Sequence, residues 1–359
     1  MSAAKVSKQN FTGPELDELL SYGFFRSGTV MYKSHAVRTS GQLYNVIRIR
    51  FPLEEWHPGS TYRKLKKRNA DLRMEIKPFT IDHENEELFD RYRLARFGDV
   101  GASLNYLVHQ DGSHAFPSEM FRCYDGEQLI ACAVTDMGET SAAGILFFYD
   151  HEHARRSLGK FLIYTMIVHM KTAGIKYYYP GYILPGNKDF DYKMDVGGGC
   201  TEFLSVKAGQ WLPCDELDAD DMLMDIMIKN LKQMQRSLHG RGIPFRLVYY
   251  YGFDAPVTMG KNFDWNQPFY LNFGTYGEGN REWILSYDME RQVFEWYTTR
   301  ETKDDEYQLQ GSIWIFCMVT EFVKEEAATF LNLYEQKHPG MLDQETRRLL
   351  SGGALVFQS

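Results

Sequence analysis

The spacing of apolar and polar residues predicts alternating strands and helices along the chain. Residues 46–51 (VIRIRF) alternate apolar and basic side chains with period two, which is typical of a half-buried strand with one cationic face. Residues 84–97 carry apolar side chains at helical spacing, and residues 11–20 predict a shorter helix. The N-terminal third is therefore expected to contribute both element types to one fold.

The central third predicts a hairpin, a core strand and a long helix. Asp125-Gly126 favours a tight turn because this dipeptide readily adopts positive φ. The apolar run 142–149 predicts a strand that is covered on both faces and ends at Asp150. Gly174 predicts the end of the helix. In order, the expected elements are strands 121–124, 129–136 and 142–149, helix 157–173 and strand 176–179.

The remaining chain continues the α/β pattern and then changes character near residue 255. Helix 220–238 and strand 245–251 are followed by a predicted hairpin, a strand at 312–320 and a helix at 324–337. The hairpin strands are expected at 283–287 and 293–298. We therefore predict an α/β (α+β) fold divided into an N-terminal basic region (1–80), a central domain (81–255) and an appended acidic α+β lobe (256–359).

Composition restricts the class of protein. The 359 residues are 44% hydrophobic and 25% charged, which indicates a globular chain. The longest apolar runs are much shorter than the roughly 20 residues that span a bilayer, and the N-terminus has no segment that resembles a signal peptide. We expect no membrane association and a cytoplasmic location. Five isolated cysteines predict neither disulfides nor structural zinc.

Charge is distributed unevenly. The formal net charge is −8, and the segment from Lys261 onward carries nine Lys and Arg against sixteen Asp and Glu, or −7. The segment 61–77 (TYRKLKKRNADLRMEIK) has the opposite character, with seven basic and two acidic residues. Such a pattern fits either a solvated helix face or a surface that contacts a polyanion such as RNA. Charge alone does not decide between them.

Three other patterns could carry chemistry. RRSLGK opens the predicted helix after Asp150 and matches part of the loop that binds coenzyme A pyrophosphate in GNAT acyltransferases. His151-Glu152-His153 lacks a clear third metal ligand, so these are favoured as exposed loop residues. Cys200 lacks an identifiable histidine partner, so a buried or bystander thiol is favoured. Tyrosines cluster at 177–179, where alternation places Tyr178 opposite its neighbours.

In combination, these motifs resemble the aminoacyl-tRNA:protein transferases of the N-degron pathway, which are the arginyltransferases and the bacterial leucyltransferases. The resemblance begins at GFFRSGTVMYKSH (23–35) and includes KKRNADL (66–72) and LFDRYRLARF (88–97). It continues at VTDMGETSAAGILFFYDHEHARRSLGKF (134–161) and YYYPGYILPGNKDFDYK (177–193). It covers roughly residues 20–250 in consistent order. It implies a GNAT-like mixed sheet flanked by helices and transfer of an amino acid from tRNA to a protein or peptide amine.

The resemblance also implies site residues. Asp150 would orient the incoming amine, while Tyr182 and Lys193 would make polar contacts to the ester or the tRNA end. The remaining substrate-binding positions would be Ser157, Leu158, Gly159, Tyr179, Gly181 and Tyr192. The tRNA would contact the basic segment at Arg63, Lys64, Lys66, Lys67 and Arg68. The expected partners are thus an aminoacyl-tRNA and an acceptor with a free amine, and the oligomeric state is left open.

Two departures from the family pattern leave alternatives open. The stretch YKSHAVRTSGQLYNVIRIR lacks the family's cysteine cluster, so we expect no iron–sulfur cluster, metal or other cofactor. Pro180 replaces a leucine of the family motif, and MDVGGG follows Lys193, so the acceptor pocket is expected to differ. A GNAT-type acyl-coenzyme A dependent acyltransferase and a non-catalytic binding module on the same fold remain alternative functions.

Overall fold

A computed structural model of the protein describes residues 5–98, 103–105, 115–250, 253, 265, 267–279, 281–301 and 320–351. These residues form two compact units. The larger unit comprises residues 5–33 and 46–218, and the smaller unit comprises residues 34–45 together with the chain from 219 onward. No helix in the described part of the chain is long and apolar enough to cross a membrane.

The described residues 5–98 form short strands and three helices. In chain order these are β1 Lys5–Ser7, α1 Gly13–Ser21, β2 Phe25–Ser27, β3 Val30–Tyr32, β4 Ala36–Thr39, β5 Gln42–Asn45, β6 Ile47–Pro52, α2 Ser60–Arg68, β7 Arg73–Pro78 and α3 His83–Phe97. Thr12 and Asp82 cap α1 and α3 through capping boxes, which satisfy backbone donors that lack partners inside a helix. The helices predicted at 11–20 and 84–97 are confirmed.

The rest of the larger unit supplies its longest strands and two more helices. In chain order the elements are β8 Ser118–Asp125, β9 Gln128–Met137, β10 Ser141–Tyr149, α4 Leu158–Thr172, β11 Tyr177–Ile183, α5 Tyr192–Gly197, β12 Glu202–Ser205 and β13 Gln210–Pro213. The hairpin turns at Gly126, whose φ is +58°, as Asp-Gly predicted. A 3-10 helix, His151–Arg156, joins β10 to α4, and Gly174 with φ +82° follows the end of α4.

One eight-stranded sheet organises the larger unit, in the order β13-β12-β6-β11-β10-β9-β8-β7. β10 and β11 run parallel, with Ala143 beside Tyr179, while the other neighbours described are antiparallel. On one face, Phe89 of α3 packs in a cluster with Val134 and Phe148. On the other, the Thr135 hydroxyl donates to the sulfur of Met166 in α4. The predicted α/β fold with a mixed sheet flanked by helices is confirmed.

β11 extends beyond its predicted end at residue 179 because the sheet accommodates two residues that usually interrupt strands. The register against β6 shifts between Tyr178 and Gly181, so Pro180 lies in a bulge where its missing N–H is tolerated. Gly181 has φ +95°, a conformation that glycine adopts without strain. The bulge shifts the register of the end of β11 against β6 and thereby changes which side chains share a face.

The smaller unit has its own sheet, in the order β14-β15-β16-β17-β18. Its elements are α6 Leu223–Gly240, β14 Arg246–Tyr249, β15 Phe269–Thr275, β16 Glu282–Asp288, β17 Val293–Glu301, β18 Thr320–Lys324, α7 Ala327–Lys337 and α8 Gln344–Leu350. The predicted helix at 220–238 and the hairpin of β16 and β17 are confirmed. Most of the strand predicted at 312–320 lies outside the described residues.

The compact units do not coincide with the boundaries predicted at residues 80 and 255. β6 and β7 belong to the eight-stranded sheet, because β7 pairs with β8 and β6 pairs with β11. The hairpin of β4 and β5 belongs to the smaller unit, where Asn45 Oδ1 accepts a 2.9 Å hydrogen bond from the Met224 backbone N–H. Long-range pairing of this kind leaves no local signal in composition.

Candidate functional site

A cavity of about 290 Å³ lies in the larger unit, beside the bulge of β11. Its wall is formed by α1, the β2–β3 segment, β6, the end of β9, β10 and β11, and by residues that follow β11. Four of the residues predicted for the site line this cavity, namely Tyr179, Gly181, Tyr182 and Lys193. The structure therefore brings together the part of the predicted site that comes from the tyrosine loop.

Lys193 places a buried amine on the wall of this cavity. It lies in the first turn of α5, and its Nζ donates a 2.7 Å hydrogen bond to the main-chain carbonyl oxygen of Tyr182. The rings of Tyr182 and Phe190 lie 5.1 and 5.0 Å from Nζ. Burial and, secondarily, the positive charge of Arg48 lower the pKa of Lys193 from 10.5 to about 7. Near neutral pH this amine can therefore both accept and release a proton.

Arg48 supplies a second buried cation. It comes from β6, and its guanidinium lies 3.4 Å from the centre of the Phe25 ring and 5.0 Å from that of Tyr182. Burial lowers the pKa of Arg48 to about 9, while Tyr32 and Tyr182 oppose the shift. The strand predicted to be half-buried is therefore covered on both faces. The prediction of a half-buried strand is wrong because aromatic rings cover Arg48 on the cationic face and hold it by cation–π contacts.

Asp136 and Arg26 form a buried ion pair in the same wall. Arg26 Nη1 lies 2.7 Å from Asp136 Oδ1, and the Ser118 hydroxyl donates to the same oxygen at 2.5 Å. Burial raises the pKa of Asp136, and the attraction to Arg26 opposes that shift. The Arg26 guanidinium also lies 4.2 Å from the ring centre of Phe116. The carboxylate of Asp136 is thus already neutralised by a residue of the protein.

The tyrosines of β11 divide between the two faces of the sheet, as strand alternation predicts. Tyr178 is fully buried near Phe51, with ring centres 5.9 Å apart. Tyr177 and Tyr179 both face Arg50, whose guanidinium is 4.0 Å from the Tyr177 ring centre and hydrogen-bonds the Tyr179 hydroxyl. Tyr179 therefore belongs to the cavity face, and Tyr178 belongs to the core on the side of α4.

The predicted residues at the end of β10 lie apart from the cavity lining. Asp150 is not among the lining residues. Its Oδ1 accepts a 3.0 Å hydrogen bond from the Glu152 backbone N–H, and its Oδ2 accepts a 3.2 Å hydrogen bond from Arg91 Nε. Ser157 caps α4 with φ +55°, while Leu158 is fully buried. This group consequently shapes the connection between β10 and α4.

The basic segment forms α2 and exposes its charges. Leu65 is buried, whereas the five basic residues predicted to contact tRNA are exposed, namely Arg63, Lys64, Lys66, Lys67 and Arg68. Arg68 Nη1 donates 3.2 Å hydrogen bonds to the Ser157 hydroxyl and to the Arg155 carbonyl oxygen. The basic helix is therefore joined to the connection between β10 and α4. Contact with RNA at α2 stays a prediction.

Two other candidates have ordinary environments. His151, Glu152 and His153 lie in the 3-10 helix, and within the described residues no group of three or more His, Cys, Asp or Glu side chains could hold a metal ion. Cys200 donates from Sγ to the Gly197 carbonyl oxygen at 3.1 Å, and burial raises the pKa of its thiol. A raised pKa disfavours the thiolate that nucleophilic catalysis requires.

The site predicted from the sequence omitted three charged residues of the cavity wall, Arg26, Arg48 and Asp136. Arg26 and Asp136 lie inside the segments that carry the family resemblance, 23–35 and 134–161, and Arg48 lies in the alternating strand. The signal available in the sequence was therefore membership of those segments. Their pairing with distant residues becomes visible only when β2, β6, β9 and β11 are assembled.

Known proteins match this same unit. The family model described as arginine-tRNA-protein transferase, C terminus, matches residues 84–198. An aspartate/glutamate leucyltransferase of Stenotrophomonas maltophilia (strain K279a) is 30% identical over 183 residues, which cover 48% of this chain and 71% of that protein. The enzyme of the same description from Shewanella sp. (strain MR-4) is 31% identical over 182 residues, which cover 49% of this chain and 74% of that protein.

Solved structures give more distant matches. L-PGS from Bacillus licheniformis matches with a TM-score of 0.28 and 10% identity, over 38% of this chain and 46% of that chain. A GCN5-related glucosamine N-acetyltransferase region of a fungal β-N-acetylglucosaminidase matches with a TM-score of 0.28 and 14% identity. This match covers 41% of this chain and 19% of that chain. The identity to the leucyltransferases decides the family. The chain belongs to the aminoacyl-tRNA:protein transferases, enzymes that move an amino acid from its tRNA onto the amine of a protein.

Proposed function

We propose that this enzyme transfers leucine from leucyl-tRNA to proteins whose N-terminal residue is Asp or Glu, and that the transfer takes place in the cavity beside the β11 bulge. The observation that carries the proposal is the buried amine of Lys193 on the cavity wall, which donates a hydrogen bond to the Tyr182 carbonyl oxygen. Burial and the positive charge of Arg48 lower the pKa of this amine to about 7. The proposed substrates follow the description of the similar leucyltransferases. The following arguments connect them to the cavity.

Lys193 has the properties of the base that aminolysis of an ester needs. The acceptor α-amine must lose a proton before or during its attack on the ester carbonyl, and α-amines have a pKa of about 7.7–8.0. Neutral Lys193 would take that proton, the new amide bond would form, and the ester C–O bond would break. The proton would then pass to the 3′ oxygen of the departing adenosine. The carbonyl of Tyr182 fixes the position of Nζ for both transfers.

Arg48 would favour acceptors that begin with an acidic residue. Its charge is buried on the cavity wall, where the electrostatic attraction to a carboxylate is weakly screened. A planar guanidinium can also bind a carboxylate with two hydrogen bonds. An acceptor that starts with Asp or Glu would bring the carboxylate that this cation attracts. An acceptor that starts with Lys or Arg would be repelled by it.

The lining of the cavity would favour a leucyl group over an arginyl group on the tRNA. Leu16, Leu20 and Met31 supply an apolar part of the cavity wall that suits an aliphatic side chain. An arginyl group would need a carboxylate, but Asp136 is already paired with Arg26 at 2.7 Å. Leucine therefore fits the described lining better than arginine does.

We propose a positioning role for Asp150. Both of its oxygens accept hydrogen bonds within the protein, and one of these bonds begins the 3-10 helix that leads into α4. A carboxylate held in this way fixes the connection that carries Ser157 and Gly159. We also propose that no iron–sulfur cluster is needed and that the enzyme works in the cytoplasm, where aminoacyl-tRNA is made.

The proposal is tested with purified protein and three sets of substrates. The first set combines tRNAs charged with radiolabelled leucine, arginine or phenylalanine with peptides that start with Asp, Glu, Asn, Gln or Arg. The second set replaces the tRNA by radiolabelled acetyl-coenzyme A. The third omits the acceptor and measures hydrolysis. We expect transfer of leucine to Asp and Glu peptides. Acetyl transfer would support the acyltransferase alternative, and no transfer in any set would support a non-catalytic binding module.

A further inference from the structure

An aromatic surface that the cavity argument does not use lies beside the connection between β10 and α4. We define it as the aromatic platform, consisting of Tyr92, Phe97, Tyr149 and His151. The Tyr149 and His151 rings are nearly parallel, with 5.6 Å between centres and 21° between planes. Tyr92 lies 5.8 Å from Tyr149 and 6.3 Å from Phe97. Four rings therefore form one continuous group at the end of α3 and of β10.

The platform is accessible, and arginines lie beside it together with the exposed acidic residue Glu152. Phe97 is 60% exposed and His151 is exposed, while Tyr92 and Tyr149 are half-buried. Arg93 lies 5.5 Å from the Phe97 ring centre. Burial raises the pKa of the Tyr92 hydroxyl, and the positive charge of Arg96 opposes that increase. The connection between β10 and α4 contains a further arginine, Arg155. Arg68 of α2 donates a hydrogen bond to the Arg155 carbonyl oxygen. Exposed rings flanked by arginines suit a ligand that has flat faces and negative charge.

A single-stranded nucleic acid has these two properties. Bases stack on aromatic side chains, and the phosphates between them are attracted to arginines. The partner of this enzyme is a tRNA, whose amino acid is carried on a single-stranded 3′ end. We propose that the aromatic platform binds this 3′ end by stacking, between the basic helix α2 and the cavity. This inference rests on the proposed function because it takes an aminoacyl-tRNA as the substrate.

The platform also continues toward the cavity. Phe147 lies two residues before Tyr149 in β10, so the two side chains share one face of the strand. Tyr192 precedes Lys193 in α5, and Lys193 Nζ lies on the cavity wall. Tyr192 and Lys193 also share a small cavity with Phe147 of β10. We therefore expect a strand stacked on Tyr149 and Tyr92 to run toward the residue that we assign as the base.

The test measures binding of uncharged tRNA, so that it is independent of the transfer reaction. Two probes are compared, a tRNA whose terminal adenosine is replaced by 2-aminopurine and the same tRNA without its single-stranded 3′ end. Stacking of 2-aminopurine on an aromatic ring quenches its fluorescence. We expect the intact tRNA to bind the unaltered protein about tenfold to a hundredfold more tightly than the shortened one, since stacking contributes this much per base.

Variants assign the difference to the platform. Tyr149→Ala and His151→Ala should each weaken intact tRNA toward the affinity of the shortened one and restore fluorescence, whereas Tyr149→Phe keeps the ring and should keep binding. Tyr22→Ala, which removes a ring that is 59% exposed elsewhere, is the matched control and should change neither probe. His151 is exposed, so its variant remains informative if Tyr149→Ala folds poorly.

Equal affinity of the unaltered protein for both probes would overturn the inference, as would an equal loss for both probes in Tyr149→Ala and His151→Ala. An effect of these variants on the KM of the acceptor peptide, with unchanged tRNA binding, would also overturn it and assign the platform to the acceptor. Leucine transfer measured in parallel separates the two proposals. Transfer without a preference for intact tRNA contradicts the platform alone, and preference without transfer contradicts the proposed function alone.

Discussion

Lys193 Nζ donates a 2.7 Å hydrogen bond to the main-chain carbonyl oxygen of Tyr182. This bond joins the start of α5 to the end of β11 and holds a buried amine at the point where the bulge turns the strand. Gly181, which precedes that carbonyl, would bring an added Cβ within 3.6 Å of Nζ. That distance is ordinary contact, so Gly181 is favoured here by its φ of +95° and not by lack of space.

Replacement of Lys193 by arginine should abolish general base catalysis while the positive charge remains. Arginine is not deprotonated in proteins, so we expect kcat to fall by about a hundredfold to ten-thousandfold. For the unaltered enzyme, kcat should rise with pH up to about 7 and then level off, because only neutral Lys193 accepts a proton. Steady-state rates from pH 5.5 to 9 would measure both effects.

Lys188→Arg is the control for that experiment, since Lys188 is exposed and lies in the segment between β11 and α5. It should leave kcat and its pH dependence unchanged. A Lys193→Arg enzyme with full activity, or a rate for the unaltered enzyme that does not vary near pH 7, would contradict the assignment.

Replacement of Arg48 by methionine should reduce the preference for acidic acceptors. The buried guanidinium between the rings of Phe25 and Tyr182 is the proposed partner of the acceptor carboxylate. We expect KM for peptides that start with Asp or Glu to rise by about tenfold to a hundredfold, which is typical of a lost charge pair at a buried site. Peptides that start with Asn or Gln have the same shape and no charge, so their KM should hardly change. An equal increase for both sets would indicate a merely structural Arg48.

Neutralising α2 should weaken tRNA binding and its dependence on salt. We expect the combined substitution Lys64→Ala, Lys66→Ala and Lys67→Ala to reduce the slope of log affinity against log salt by about two to three, because each phosphate contact contributes about 0.9. Arg68 is kept because it also holds the β10–α4 connection. The control variant removes three exposed basic residues of α6, Lys229, Lys232 and Arg236. Equal slopes for the two triple variants would make α2 a solvated helix face.

Breaking the ion pair of Arg26 and Asp136 should destabilise the larger unit. Asp136→Asn leaves Arg26 buried without its carboxylate, and the loss of one partner of a buried pair costs about 3–5 kcal/mol of unfolding free energy. The double variant Arg26→Met, Asp136→Leu removes both charges and should be more stable than Asp136→Asn. Urea unfolding followed by tryptophan fluorescence measures both. A double variant no more stable than the single one would show that the Ser118 hydrogen bond, and not the pair, determines the effect.

These residues show how far the sequence alone can lead. The helix predicted at 157–173 is correct within a residue at each end, and Gly174 marks its C-terminal end locally. β11 was predicted too short because Pro180 and Gly181 interrupt strands unless a bulge accommodates them. Arg26 and Asp136 are 110 residues apart in the chain, so no local pattern reveals that they neutralise each other. Local signals predicted the elements, and the charges of the cavity depend on the contacts between them.

The role of Asp150 can be separated from the role that the family resemblance implies. If Asp150 fixes the β10–α4 connection, its partner Arg91 acts through the same bond, which is 3.2 Å long. Asp150→Asn, Arg91→Met and the double variant should then each lower kcat/KM for tRNA by about the same factor, roughly tenfold, because all three remove one interaction. If Asp150 instead orients the attacking amine, Asp150→Asn lowers kcat alone and Arg91→Met has little effect. We expect the first result, because the second oxygen of Asp150 is already bound by the Glu152 backbone N–H. Kinetics of the three variants, with the tRNA and the peptide varied separately, decide between the two roles.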